Sequence, residues 1–68
     1  MNTNLLKGKL RELGLTQADA ASELGVSLSR FNAKLNKREG AEFSLGELKA
    51  LKVLLDLTGE QVDQIFFA

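Results

Sequence analysis

The sequence predicts an all-α fold, a compact bundle of five short helices, from three observations. Proline is absent, and leucine, alanine, glutamate and lysine are abundant. Strand-like alternation of apolar and polar residues is hard to find, whereas apolar residues recur at helical spacing between recognisable caps. A chain of 68 residues fits one domain whose core is only just sufficient. We therefore predict a single domain over residues 1–68.

The first predicted helix covers residues 4–13. Asn2 or Thr3 is expected to cap its beginning, and Gly14 suits the left-handed residue that closes a helix. Its apolar stripe consists of Leu5, Leu6, Leu10 and Leu13. Gly8 lies inside this helix, although a glycine there costs about 1 kcal/mol relative to alanine. We expect a neighbouring helix to approach closely at Gly8, the alternative being that the residue is simply suboptimal.

The second predicted helix covers residues 17–24. Thr16 is its expected N-cap, and Asp19 places a carboxylate in the first turn, where backbone amides are unpaired and the helix dipole is positive. Gly25 then supplies the backbone freedom for a sharp turn. The helix should therefore end at Leu24.

The third predicted helix begins almost at once and covers residues 28–35, with Ser27 as its N-cap. Helices joined by three or four residues that include a glycine cross at about 90–120°, which is the helix-turn-helix arrangement. Small side chains are needed where they cross, and Ala20 and Ala21 supply them. The apolar residues expected to be buried together and to fix the angle are Leu24, Val26, Phe31 and Leu35.

The second half of the chain contains a polar loop and two more predicted helices. The loop covers residues 36–43, the fourth helix residues 45–55 and the fifth about residues 60–66. Each of these helices begins with a capping-box pair, Ser44 with Glu47 and Thr58 with Gln61. The five predicted helices then contain 44 of the 68 residues.

Composition narrows the possible functions. Cysteine and histidine are both absent, so a disulfide framework, a thiol nucleophile and the usual zinc or imidazole chemistry are excluded. Nothing points to a carboxylate-only catalytic site, and we expect a protein that is not an enzyme and needs no metal or cofactor. No apolar run approaches the ~20 residues that span a bilayer. The first ten residues lack the features of a secretory signal, which favours a cytoplasmic protein.

Charge is unevenly distributed along the chain. The net charge is zero, yet residues 1–38 carry +4 and residues 39–68 carry −4. Such a distribution orients a molecule toward a polyanion, because one face attracts phosphate while the other is repelled. The zero net charge by itself argues weakly against nucleic-acid binding.

The stretch "LTQADAASELGVSLSRF" carries a family resemblance. With its threonine-glutamine opening, central alanine, glycine turn and apolar residue inside the next helix, the chain over residues 1–66 resembles the DNA-binding domain of the lambda-type repressor and Cro family of phage regulators. That family has a five-helix fold with a helix-turn-helix in helices 2 and 3. One position departs from the family, because Lys34 stands where an apolar residue is usual and Leu35 must provide the anchor.

The resemblance implies a regulator of transcription that binds double-stranded DNA, with helix 3 in the major groove. The residues expected to contact bases are Ser27, Leu28, Ser29, Asn32 and Ala33. Those expected to contact phosphates are Gln17, Arg30, Asn36, Lys37 and Arg38. The expected partner is an operator with paired half-sites in a bacterial or phage-infected cell, with no membrane and no small-molecule substrate.

Two adjacent phenylalanines lie near the end of the chain. Phe66 and Phe67 are about 100° apart on a helix, so both cannot point into one small core. We expect one to be exposed as the contact of a weak homodimer, the alternative being a frayed terminus. The alternative for function is a helical protein-interaction module, such as an anti-repressor or antitoxin-like partner, that keeps the fold without specific DNA binding.

Overall fold

The protein, analysed as a computed structural model, is described over residues 1–67, and Ala68 lies outside the described residues. This part of the chain contains helices and no strand. The helices are α1 (Thr3–Glu12), α2 (Gln17–Leu24), α3 (Leu28–Leu35), α4 (Leu45–Leu54) and α5 (Gly59–Val62). The prediction of an all-α fold with five helices is confirmed.

Each of the five α-helices begins with a side chain that accepts a hydrogen bond from an otherwise unpaired backbone amide. The short 3₁₀ turn Arg38–Gly40 has no such cap. In α1 the cap is Asn2, whose Oδ1 accepts from Leu5 N at 3.1 Å. Ser27 Oγ accepts from Arg30 N at 3.1 Å at the start of α3. The other three starts are reciprocal capping boxes, Thr16 with Asp19, Ser44 with Glu47 and Thr58 with Gln61. These caps were predictable because each depends on residues only three positions apart.

Three helices end in the same way, with a residue in the left-handed region followed by an apolar residue that packs inward. The left-handed residues are Gly14 (φ 71°), Gly25 (φ 73°) and Asp56 (φ 50°). The amide of the next residue donates to a carbonyl five positions back, as Val26 N does to Ala21 O at 3.0 Å. The chain therefore turns sharply between α2 and α3, and Val26 is brought against the core.

The core is built entirely from apolar side chains. Its buried members are Leu6, Leu10, Ala20, Ala21, Phe31, Leu35, Leu51, Leu55, Leu57 and Ile65. Phe31 is fully buried, and its ring centroid lies 5.5 Å from that of Phe43. Leu24 and Val26 pack against this core but are only half-buried. The predicted buried cluster is therefore confirmed for Phe31 and Leu35, whereas Leu24 and Val26 remain partly exposed.

Helix boundaries differ from the predicted ones by a residue at several ends. Helix α1 begins and ends one residue earlier than predicted, and α4 ends at Leu54 rather than Leu55. Helix α5 is only four residues long and continues into a π-helical turn, Asp63–Phe67. This wider turn brings Ile65 into the core.

The expectation that a neighbouring helix approaches Gly8 is wrong. Gly8 is exposed, and a Cβ placed on it would meet no neighbouring atom within 4 Å. The residue therefore weakens α1 without any packing benefit.

The beginning of the chain connects two distant segments. Asn2 N donates to Ile65 O at 2.6 Å, and Thr3 Oγ1 donates to Leu35 O at 3.3 Å. The start of α1 is thus fixed both to the C-terminal turn and to the end of α3. Within residues 1–67, no helix combines the length and apolar character needed to cross a bilayer.

Candidate nucleic-acid interface

Helix α3 is held by one face and leaves the other open. Phe31 and Leu35 are buried, and α2 packs against both α3 and α4. On the open side, Ser27, Leu28 and Ser29 are exposed, whereas Asn32 and Ala33 are half-buried. The five residues predicted to contact bases therefore lie on or beside one surface of α3.

A chain of side-chain amides runs across this surface. Asn32 Nδ2 donates to Gln17 Oε1 at 3.1 Å, which connects α3 to the first residue of α2. Asn36 Nδ2 donates to Asn32 Oδ1 at 3.1 Å and to Asn32 O at 3.0 Å. The chain fixes the Asn32 amide on both sides. Within residues 1–67, the Gln17 side chain forms a hydrogen bond only through its amide oxygen. Its amide nitrogen can therefore donate to a ligand.

Two shallow depressions flank the open side of α3. The first lies toward α2 and is lined by Thr16, Gln17, Ala18, Leu28, Ser29, Asn32 and Arg38. The second lies toward the following loop and includes Ser27, Ser29, Arg30, Ala33 and Arg38. Arg38 borders both, so the loop after α3 folds back along the helix. Most of the residues predicted for the interface are therefore neighbours.

The basic residues of this region are not equally available. Arg30, Lys37 and Arg38 are exposed, and Lys37 adopts a left-handed conformation with φ 52° just after α3. Lys37 lies apart from the two depressions, in a groove it shares with the C-terminal phenylalanines. The second depression also contains Glu39, Glu42 and Glu47. Positively and negatively charged residues are thus less clearly separated in the structure than along the sequence.

Lys34 is committed to an ion pair. Its Nζ lies 2.7 Å from Glu47 Oε1 and 2.6 Å from Glu47 Oε2, and the two side chains are only 11% and 13% exposed. Glu47 Oε1 also accepts from Ser44 N at 2.8 Å as part of the α4 capping box. Lys34 stands where the resembled family has an apolar residue. Its ion pair with Glu47 therefore links the end of α3 to the start of α4.

The carboxylates at two helix starts are stabilised in their charged form. Partial burial by itself raises the pKa of Glu47, but hydrogen bonds from Lys34 and Ser44 outweigh burial and bring the pKa below its ordinary value. Hydrogen bonds from the Thr16 backbone and side chain lower the pKa of Asp19. Both groups are therefore anionic at neutral pH.

The two C-terminal phenylalanines have different environments, as predicted. Phe66 is half-buried against the core, whereas Phe67 is 67% exposed. Together with Met1, Phe43, Leu48 and Lys37 they line a groove on the side of the molecule where α3 ends. Of the two rings, it is therefore that of Phe67 that is exposed to solvent.

Sequence reasoning did not find two features of this surface. The Lys34–Glu47 pair joins residues 13 positions apart, and the signal that could have indicated it was a lysine at a core-facing position of α3. The hydrogen bond between Gln17 and Asn32 depends on how α2 and α3 cross, which no local pattern specifies.

Comparison with protein-family models, with curated proteins and with solved structures gave no match. Functional assignment therefore rests on the residues and geometry of this chain.

Proposed function

We propose that this protein is a helix-turn-helix regulator of transcription that binds specific sequences in double-stranded DNA. Helices α2 and α3 form the helix-turn-helix, in the manner of the lambda-type repressor and Cro family, and α3 enters the major groove. The protein acts in the cytoplasm of a bacterial or phage-infected cell. It has no catalytic role, cofactor or small-molecule substrate.

The observation that carries the proposal is the open side of α3 with its amide chain. An exposed helix face formed by small and polar residues can enter a groove about 12 Å wide. Gln17, at the start of α2, is bonded to Asn32 and retains a free amide donor close to the unpaired backbone amides of that helix. This arrangement suits a phosphate at α2 and base edges at α3 simultaneously.

Phosphate contacts at the rim complete the proposed interface. Arg30 and Arg38 border the depressions beside α3, and Lys37 lies next to Asn36, the residue that caps the end of the helix. Their charges can replace condensed cations on the DNA backbone, which makes binding strongly dependent on salt. Lys34 is left out of this set because Glu47 neutralises it.

A second candidate function is favoured by the acidic residues beside α3. Glu39 and Glu42 would repel phosphate, and the net charge is zero. A helical module that binds another protein, as an anti-repressor or antitoxin-like partner, would tolerate both features. It would bind duplex DNA weakly and without sequence preference.

The deciding experiment is selection of duplexes from a random pool, followed by affinity measurements over a range of salt concentrations. A helix-turn-helix regulator should enrich a defined sequence. For about three phosphate contacts per protomer, its log affinity should fall with log salt with a slope of about −3. Lys37→Gln and Arg38→Gln should each reduce the magnitude of that slope by about one.

Lys49→Gln is the matched control, because Lys49 is an exposed lysine on α4, outside the proposed interface. It should leave the slope unchanged. A flat salt dependence together with no enriched sequence would contradict DNA recognition and favour the protein-interaction module.

A further inference from the structure

Most hydroxyl and amide side-chain oxygens on the open side of α3 already accept a hydrogen bond within the protein. Ser27 Oγ accepts from Arg30 N and Thr16 Oγ1 accepts from Asp19 N. The amide oxygens are likewise engaged, Gln17 Oε1 by Asn32 and Asn32 Oδ1 by Asn36. Each of these four oxygens thus already accepts one hydrogen bond, whereas Ser29 Oγ, which lines both depressions, has no hydrogen-bond partner within residues 1–67.

Donors, by contrast, remain. Within residues 1–67, the Gln17 amide nitrogen and the guanidinium groups of Arg30 and Arg38 form no hydrogen bond or ion pair. Gln17 and Arg38 line the same depression. A ligand in that depression is therefore met by hydrogen-bond donors.

An apolar side chain lies among these donors. Leu28 is the first residue of α3, is 50% exposed, and belongs neither to the core nor to the residues packed against it. It lines the depression together with Gln17, Ser29 and Arg38. Water solvates the exposed half of this leucine poorly, so a ligand with an apolar group beside an acceptor would gain from both features.

We infer that Leu28 recognises the C5-methyl group of a thymine, while neighbouring donors face the O4 acceptor of the same base. The inference rests on the proposed function, since it names the base feature that α3 selects. In the major groove, thymine alone combines an acceptor with a methyl group. Guanine offers acceptors without an apolar group, and cytosine and adenine each present an amino donor.

Deoxyuridine provides the test, because it differs from thymidine only by the methyl group. In the duplex that the protein selects from a random pool, each thymine is replaced singly by uracil and the affinity is measured. One thymine per half-site should lose about fourfold in affinity, the value of one buried methyl group. With Leu28→Ala, the same replacement should change affinity by less than about 1.5-fold.

Leu45→Ala is the matched control. Leu45 is also the first residue of its helix, follows a serine cap, and is 68% exposed. This variant should retain the fourfold sensitivity to uracil. Thermal unfolding should show that both variants remain folded, since neither leucine is in the core.

A 5-methylcytosine at the sensitive position tests the donor part of the inference. It keeps the methyl group but presents an amino donor in place of O4, so it should bind more weakly than thymine. Equal binding of the two bases would overturn the role of the donors. A selected sequence with no uracil-sensitive thymine, or sensitivity that persists in Leu28→Ala, would overturn the role of Leu28 while leaving the proposed function intact. Failure to select any sequence would overturn both.

Discussion

At the scale of single residues, the ion pair between Lys34 and Glu47 makes stability depend on pH. The pKa of Glu47 is lowered in the folded protein. The contribution of its ionised carboxylate to the free energy of unfolding is therefore complete above the ordinary glutamate pKa of 4.5. The contribution is lost as the pH falls through the lowered value. The pair therefore stabilises the protein at neutral pH and ceases to do so in acid.

Replacing Glu47 should expose this dependence. At pH 7, Glu47→Gln should reduce the free energy of unfolding by about 1–2 kcal/mol, because the poorly hydrated Lys34 side chain loses its ion-pair partner. The difference from the unmodified protein should shrink as the pH falls from 5 to 3 in urea titrations. In a Lys34→Met background, the effect of Glu47→Gln should be smaller at pH 7. A constant difference at every pH would show that the carboxylate charge contributes nothing.

Phe31 is the residue on which the core depends most. It is fully buried and contacts Phe43. Phe31→Ala should cost about 3–5 kcal/mol, which is most of the ~5 kcal/mol available to a small domain. The variant should be largely unfolded by circular dichroism. Phe67→Ala removes an exposed ring of the same kind and should change stability by less than about 0.5 kcal/mol. Equal stability of the two variants would contradict the core assignment.

At the scale of helices, Gly8 and Gly25 have opposite roles. Gly8→Ala should stabilise the protein by about 0.5–1 kcal/mol, since it lies inside α1 with open space around it. Gly25→Ala should destabilise it by about 1 kcal/mol, because φ at this position is 73°. Urea midpoints measure both. A destabilised Gly8→Ala variant would indicate that the glycine has another role.

Helix starts and two of the three left-handed closures could be predicted from the sequence. A cap requires a particular residue type at a fixed short distance, and glycine at 14 and 25 signals a positive φ directly. Asp56, Lys37 and Glu39 also have positive φ without any such signal. For Asp56, the conformation accompanies the burial of Leu57, the residue that follows it. At the candidate site, likewise, the exposed residues of α3 could be predicted from the sequence, whereas the non-local partner of Lys34 could not.

At the scale of the whole molecule, we propose that two chains associate through the exposed Phe67. We expect a weak homodimer, because one or two aromatic contacts give an interface below the ~1,200 Å² of standard complexes. Binding to adjacent half-sites on DNA would supply the additional association energy. Dimer formation and occupation of paired half-sites should therefore be coupled.

Phe67→Ser should abolish cooperative filling of two half-sites and leave each half-site affinity nearly unchanged. Serine adds no charge, so its effect on phosphate contacts is small. Val53→Ser is the control, since Val53 is an exposed apolar residue on α4. Titration of duplexes with one or two half-sites measures cooperativity, and sedimentation measures the free dimer. Independent filling of the half-sites by the unmodified protein would contradict the dimer.

The hydrogen bond from Asn2 N to Ile65 O makes one backbone amide a reporter of the C-terminal turn. Asn2 precedes α1, so its amide has no helical carbonyl to protect it, and its exchange with deuterated solvent is slowed only while Ile65 is in place. Its protection factor therefore measures how often the turn carrying Phe66 and Phe67 detaches from the body of the protein. If association through Phe67 holds that turn, the Asn2 amide should exchange more slowly on DNA with paired half-sites than on DNA with a single one. The exchange rate of the Asn2 amide would then report the proposed link between dimerisation and DNA binding, although Asn2 lies more than 60 residues from Phe67 in sequence.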